Sequence, residues 1–204
     1  MKKELEHKIN NLIKDTKANI ISSKTLYKDN FIALMEEDYL LPNNVVMKRE
    51  RIIKNNNKES VIVIVHTIND KYLLVVQNRI NNLTTIEFPS GYIEEGESPI
   101  EAGLRELLEE TGYISYDIRE IDSYYNSLGI DSSIVHIVIA YNCEKFTTQN
   151  LGKYEYINYD EFSLEELKEL IDNNYINGVG NKLAYYELLN ILNKTDIKIK
   201  RKIL

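Results

Sequence analysis

The 204-residue sequence has one cysteine, three prolines, eight glycines and no tryptophan. Cys143 alone builds neither a disulfide framework nor a cysteine-rich zinc site, and it reads as a buried thiol. The three histidines, His7, His66 and His136, are too scattered for a metal constellation, and His136 reads as a structural residue of a buried strand. No Pro/Gly-rich linker and no internal repeat divides the chain, so its length reads as one domain with an appendage. Apolar runs such as Val61–Val65 fall far short of the roughly 20 residues a membrane helix needs. Residues 1–6 are charged and carry no apolar signal region, which points to the cytoplasm. Basic residues are in the minority, 25 Lys and Arg against 32 Asp and Glu, for a net charge of −7. That balance excludes the basic footprint of a general nucleic-acid binder. An anionic substrate would then call for a bound cation.

What is present is ordinary globular material, 43% hydrophobic and 28% charged. It suffices for a core without covalent staples. Residues 2–20 read as a helix, with Leu5, Ile9, Leu12 and Ile13 on one narrow stripe. Strands are expected at Leu26–Tyr27, Phe31–Leu41 and Val45–Lys54. Two strongly apolar strands follow, Val61–His66 and Tyr72–Gln77, turned by Asn69-Asp70. Further strands are expected at Thr85–Phe88, Ile134–Tyr141 and Tyr154–Tyr159. Helices are expected at Leu164–Asp172, behind a Ser163–Glu166 capping box, and at Asn181–Asn193. The pattern predicts an α/β (α+β) fold, an α/β/α sandwich with a mixed sheet. It divides into an N-terminal helical extension (1–22), N-terminal antiparallel strands (23–56) and a main domain (57–204).

One segment, Gly91 to Tyr113, carries chemistry. Ser98 is an N-cap, Pro99 suits the first helical position, Glu101 completes a capping box and Gly112 ends the helix, so residues 99–111 are helical. At about 100° per residue, Glu106, Glu109 and Glu110 share a face. Ile100, Leu104, Leu107, Leu108 and Thr111 lie opposite, on the face expected to be buried. Ala102 and Gly103 lie on the carboxylate side, small enough to let something bulky approach. Carboxylates three and four residues apart repel one another, and a hard divalent cation reverses that sign. Glu97 adds a fourth acid, and Arg105 is placed to fork onto a carboxylate. The loop Gly91–Gly96 lets backbone come close to a ligand.

The whole pattern is Gly-x5-Glu-x7-Arg-Glu-Leu-x-Glu-Glu-x-Gly-Tyr, and it resembles the Nudix box at every fixed position. The Nudix hydrolases cleave nucleoside diphosphates linked to another moiety. The resemblance implies a cofactor, Mg²⁺ or Mn²⁺. It implies Glu106 and Glu110 as main metal ligands, Glu109 as a further ligand or base, and a backbone oxygen near Ser90–Gly91. Gly91, Glu97, Arg105 and Gly112 would hold the box together. Outside the box, Gln77-Asn78-Arg79 and Glu87-Phe88-Pro89-Ser90-Gly91 resemble the ADP-ribose pyrophosphatase branch. That likeness implies hydrolysis of an ADP-sugar to AMP and a sugar phosphate, and a homodimer through the N-terminal strands. It implies substrate contacts from Arg79, Glu87 and Phe31, the last stacking on adenine from the partner subunit. Two features depart from the branch. Tyr125-Asn126-Ser127-Leu128-Gly129 lacks the branch's proline. The loop Cys143–Lys153 offers Glu144 alone as base, with Glu155 just beyond on an expected strand.

Overall fold

The computed structural model describes residues 3–14, 16–79 and 83–203, with 195–203 described by backbone alone. The chain divides into two compact units. One comprises residues up to Asn57 together with Ser127–Ser133; the other comprises Lys58–Asn126 and the chain from Ile134 onward.

The first unit holds helix α1 (Lys3–Lys14) and strands β1 (Asn19–Lys28), β2 (Ile32–Leu40) and β3 (Val46–Lys54). The helix expected over 2–20 ends at Lys14; positions 2 and 15 lie outside the described residues. The Thr16 hydroxyl donates to the Leu12 and Ile13 carbonyls, and the β-branched pair Ile20–Ile21 then belongs to β1. β1 is therefore ten residues long, where the sequence suggested only Leu26–Tyr27. β2 pairs antiparallel with both β1 and β3. Glu37 is buried in β2, where the Arg51 guanidinium and the Tyr39 hydroxyl donate to it. Asp131 is buried too, ion-paired with Lys54 at 2.5 Å.

The second unit holds β4 (Ser60–Thr67), β5 (Tyr72–Arg79), β6 (Leu83–Glu87), β7 (Ser90–Tyr92), α2 (Pro99–Thr111), β8 (Tyr113–Ile114) and β9 (Asp117–Ser127, within this unit to Asn126). It continues through β10 (Asp131–Lys145, entering at Ile134), β11 (Ile157–Phe162), α3 (Leu164–Asp172) and α4 (Val179–Ile203). The sheet is mixed. β4 runs parallel to β10 and antiparallel to β5 and β7, and β5 is antiparallel to β6 and β11.

Strand alternation explains the apolar run in β4. Val61, Val63 and Val65 face α2, in a cluster with Ala102 and Leu107. Ile62 and Ile64 face the other way, against Leu167 and Ile171 of α3 and Ala184 and Leu188 of α4. A strand covered on both faces has no polar side, so the sequence shows no alternation there. The expected α/β/α layering is thus present. β9 was not foreseen, because its sequence is mostly polar and exposed. β11 starts at Ile157, so Tyr154 and Glu155 sit in the turn before it.

Candidate active site

The local signals of the Gly91–Tyr113 segment act as read. Ser98 accepts from the Glu101 amide, Glu101 accepts from the Ser98 amide, and Gly112 closes the helix at φ 71°. The orientation of α2 differs from the expectation. Its buried residues are Ala102, Gly103, Leu107, Glu110 and Thr111, so the face with Glu106 and Glu110 turns inward. Ala102 and Gly103 do not leave room for a ligand; they let the helix lie tight on the sheet. A Cβ at Gly103 would sit 2.9 Å from Val138 Cγ2. Of the face expected to be buried, Leu107 and Thr111 are buried, while Leu104 and Leu108 are only half-buried.

Glu106 and Glu110 therefore lie where helix meets sheet, in a desolvated position, while the Glu109 side chain stays partly exposed. Glu110 is 5% exposed and accepts a hydrogen bond from Ser90 N at 3.1 Å. Burial, with the charge of Glu106 next and that of Glu155 in addition, pushes its carboxyl up to about 8, against the pull of Ser90 and Arg79. Burial raises Glu106 as well; Arg105 opposes that rise, while Glu109 and Glu155 add to it. Glu155 thus bears on both Glu106 and Glu110. It lies in the turn before β11, its carboxylate accepting from Gly152 N at 2.7 Å.

Arg105 organises the outer side. Its guanidinium donates to Glu97 (2.8 and 3.0 Å), Glu106 (2.7 Å), Glu109 (3.1 Å) and the Tyr92 carbonyl (2.8 Å). The hydrogen bond from Arg105 holds Glu97 below the usual carboxylate range. Gly91 lies against Glu106, whose carboxylate occupies the space a side chain at 91 would need. Arg79 forks onto Glu87, with Nε 3.1 Å from Oε1. Burial pushes Glu87 up, and bonds from Arg79 and Thr85 overcome it, leaving the carboxyl lowered. Phe31 belongs to the first unit and is half exposed.

Among the described residues, no three His, Cys, Asp or Glu side chains converge into a ready-made metal cage. The donor set nonetheless suits a hard divalent cation. It is all oxygen, it spans positions i, i+3 and i+4 of one helix, and its buried member, Glu110, has its carboxyl pushed up by burial and by the neighbouring Glu106. His136 and Cys143 stay outside the chemistry. The His136 ring nitrogens lie 2.7 and 2.8 Å from Glu120 and Glu59, and Cys143 is buried with its thiol pushed up to about 12, chiefly by that burial.

The NUDIX domain family matches residues 56–177. The chain belongs to the Nudix family. This Nudix hydrolase is 32% identical over 162 residues to ADP-ribose pyrophosphatase of Bacillus subtilis (strain 168), covering 78% of this chain and 86% of that protein. It is 31% identical over 153 residues to methanol dehydrogenase activator of Bacillus methanolicus, covering 74% and 81%. Its fold matches the crystal structure of an ADP compounds hydrolase with a TM-score of 0.79, over 88% of this chain and 96% of that one at 22% identity. The resemblance read from the box and the mixed-sheet fold are both borne out. No helix among the described residues is long and apolar enough to cross a membrane.

Proposed function

We propose that this Nudix hydrolase cleaves the pyrophosphate bond of an ADP-sugar such as ADP-ribose, giving AMP and a sugar phosphate, with Mg²⁺ or Mn²⁺ held by Glu106, Glu110 and Glu109. The observation that carries the reading is the buried, charge-opposed Glu110 beside Glu106, an arrangement that gains nothing in a protein without a cation. The similarity to ADP-ribose pyrophosphatase supports the substrate class. When bound, the metal supplies Lewis acidity toward a phosphate oxygen and acidifies a water. Arg105 keeps Glu106 and Glu109 oriented and ties them to the Tyr92 backbone. In this reading Arg79, whose charge acts on Glu110, brings positive charge to the diphosphate, and Glu155, whose charge also acts there, takes a proton from the attacking water. A homodimer through the N-terminal strands belongs to the same reading. It accounts for β1, exposed along its whole length with Ile20, Ile21, Leu26 and Tyr27 open.

The test is product analysis after incubation with ADP-ribose and Mg²⁺, with and without a chelator. AMP and ribose 5-phosphate are expected only with free metal, and Glu110→Gln should abolish them while leaving the fold intact. Full turnover by that variant, or in the presence of chelator, overturns the mechanism. A second reading keeps the chemistry and takes another nucleotide sugar, a dinucleotide or a nucleoside triphosphate. The similarity to an activator protein and the proline-free Tyr125–Gly129 segment favour including these in the same assay.

A further inference from the structure

We infer that the side-chain amide of Gln77 is a substrate-binding donor that recognises an oxygen of the nucleoside diphosphate. The inference rests on the hydrolase reading above and adds to it a specific contact. Gln77 Nε2 is buried and finds no hydrogen-bond partner among the described residues. Buried polar groups in folded proteins are nearly always paired, so an unpaired amide requires an explanation.

Its position supplies one. Residues two apart on a strand share a face, so Val75, Gln77 and Arg79 line the same side of β5. Val75 clusters with Ala102 and Leu107, which makes this the α2 side. At the end of the row, the charge of Arg79 acts on Glu110. In the pairing register, Gln77 lies opposite Thr85 on β6 and Ile157 on β11. Two residues beyond those partners in the chain are Glu87, ion-paired to Arg79, and before Ile157 the turn with Glu155. The Ile157 carbonyl accepts from Gln149, which also donates to the Glu110 carbonyl. Gln77 is thus framed by Arg79, Glu87 and the neighbourhood of Glu110.

The chemistry of that frame favours a neutral donor. A second cation there would pair with a carboxylate, as Arg79 does with Glu87. An amide nitrogen among acids that already have partners stays available, and a phosphate oxygen is an acceptor of the right kind. The other unpaired buried atoms, His66 Nδ1 and Thr67 Oγ1, carry no such implication. They lie where β4 meets the start of β5, about 17 Å along the strand from Gln77.

The test uses Gln77→Leu and Gln77→Asn in the full chain. Leucine removes the unpaired amide nitrogen and keeps much of the volume. The melting temperature of free Gln77→Leu should equal or exceed that of the parent. Its kcat/KM for ADP-ribose should fall about 10- to 100-fold, the cost of one hydrogen bond to a charged group, mostly through KM. The thermal upshift given by Mg²⁺ with a methylene-bridged ADP-ribose analogue should shrink. Gln77→Asn should retain part of both. Unchanged kcat/KM with an unchanged upshift overturns the inference, as does a free-protein melting temperature several degrees lower, which marks a packing role. Failure of the parent on every nucleoside diphosphate in the panel would instead overturn the hydrolase reading.

Discussion

The Glu106 carboxylate fills the space that a side chain on Gly91 would need. The absence of a Cβ at 91 therefore positions a carboxylate across the helix–sheet contact. In Gly91→Ala the methyl must displace the end of a flexible side chain, not backbone, so the fold should survive. The carboxylate should not keep its place. A misplacement of about 1 Å at a reacting centre costs on the order of 100-fold. The expected result is a loss of that size in kcat/KM with a melting temperature within a few degrees of the parent. Equal activity would show that the close approach has no catalytic role.

Glu110 gives the metal-free protein a pH signature. Its carboxyl is raised to about 8 from an ordinary value of 4.5, so the folded state binds a proton that the unfolded chain has released in between. Stability contributed by the protonated form is present at low pH and is lost as pH rises through that window. The melting temperature in chelator should fall between about pH 5 and pH 8, by roughly 5 °C or more. Mg²⁺ should restore most at the alkaline end, where cation and proton no longer compete. Glu110→Gln should flatten the profile. A parent profile that rises across this range contradicts the assignment.

The box helix was legible because its boundaries are local: Ser98, Pro99, Glu101 and Gly112 each act within a few residues. Its facing was not. A helical wheel ranks faces by hydrophobicity, and by that measure Leu104 and Leu108 outrank a face bearing Glu106 and Glu110. The small residues Ala102 and Gly103 decide the contact, because they let the helix approach β4 and β10. The carboxylates are carried inward with them. β9 escaped notice for the converse reason: its residues are largely exposed, so no apolar pattern marks it. Glu155 was read onto a strand because Tyr154, Tyr156 and Tyr159 imitate one. The two earlier tyrosines are instead highly exposed in the turn.

Arg105 is a residue whose conservative replacement should fail. Its five donors reach three carboxylates and the Tyr92 carbonyl together. Lysine has the charge but not the planar fork. Arg105→Lys should lower the melting temperature by a few degrees and kcat/KM about 10-fold or more, with Arg105→Ala worse on both. Circular dichroism melts and steady-state kinetics on the two variants check this. A lysine variant indistinguishable from the parent would reduce Arg105 to a point charge.

Besides Glu109, read as a ligand or base, the sequence left Glu144 and Glu155 open as the base, and the surroundings of these two separate them. Glu144 is exposed on β10, paired across to Ile114 on β8. Glu155 sits in a turn held by its own bond from Gly152 N, and its charge acts on both Glu106 and Glu110. Of the two, Glu155 is the one whose charge bears on Glu106 and Glu110, so it is the one proposed as base. Glu155→Gln keeps an oxygen to accept from Gly152, so the turn should persist. Its kcat should fall about 100- to 10,000-fold, the usual contribution of a positioned base, with KM little changed. Glu144→Gln should leave both constants near the parent values. Retained kcat in the Glu155 variant, or a selective loss in the Glu144 variant, would assign the proton transfer elsewhere.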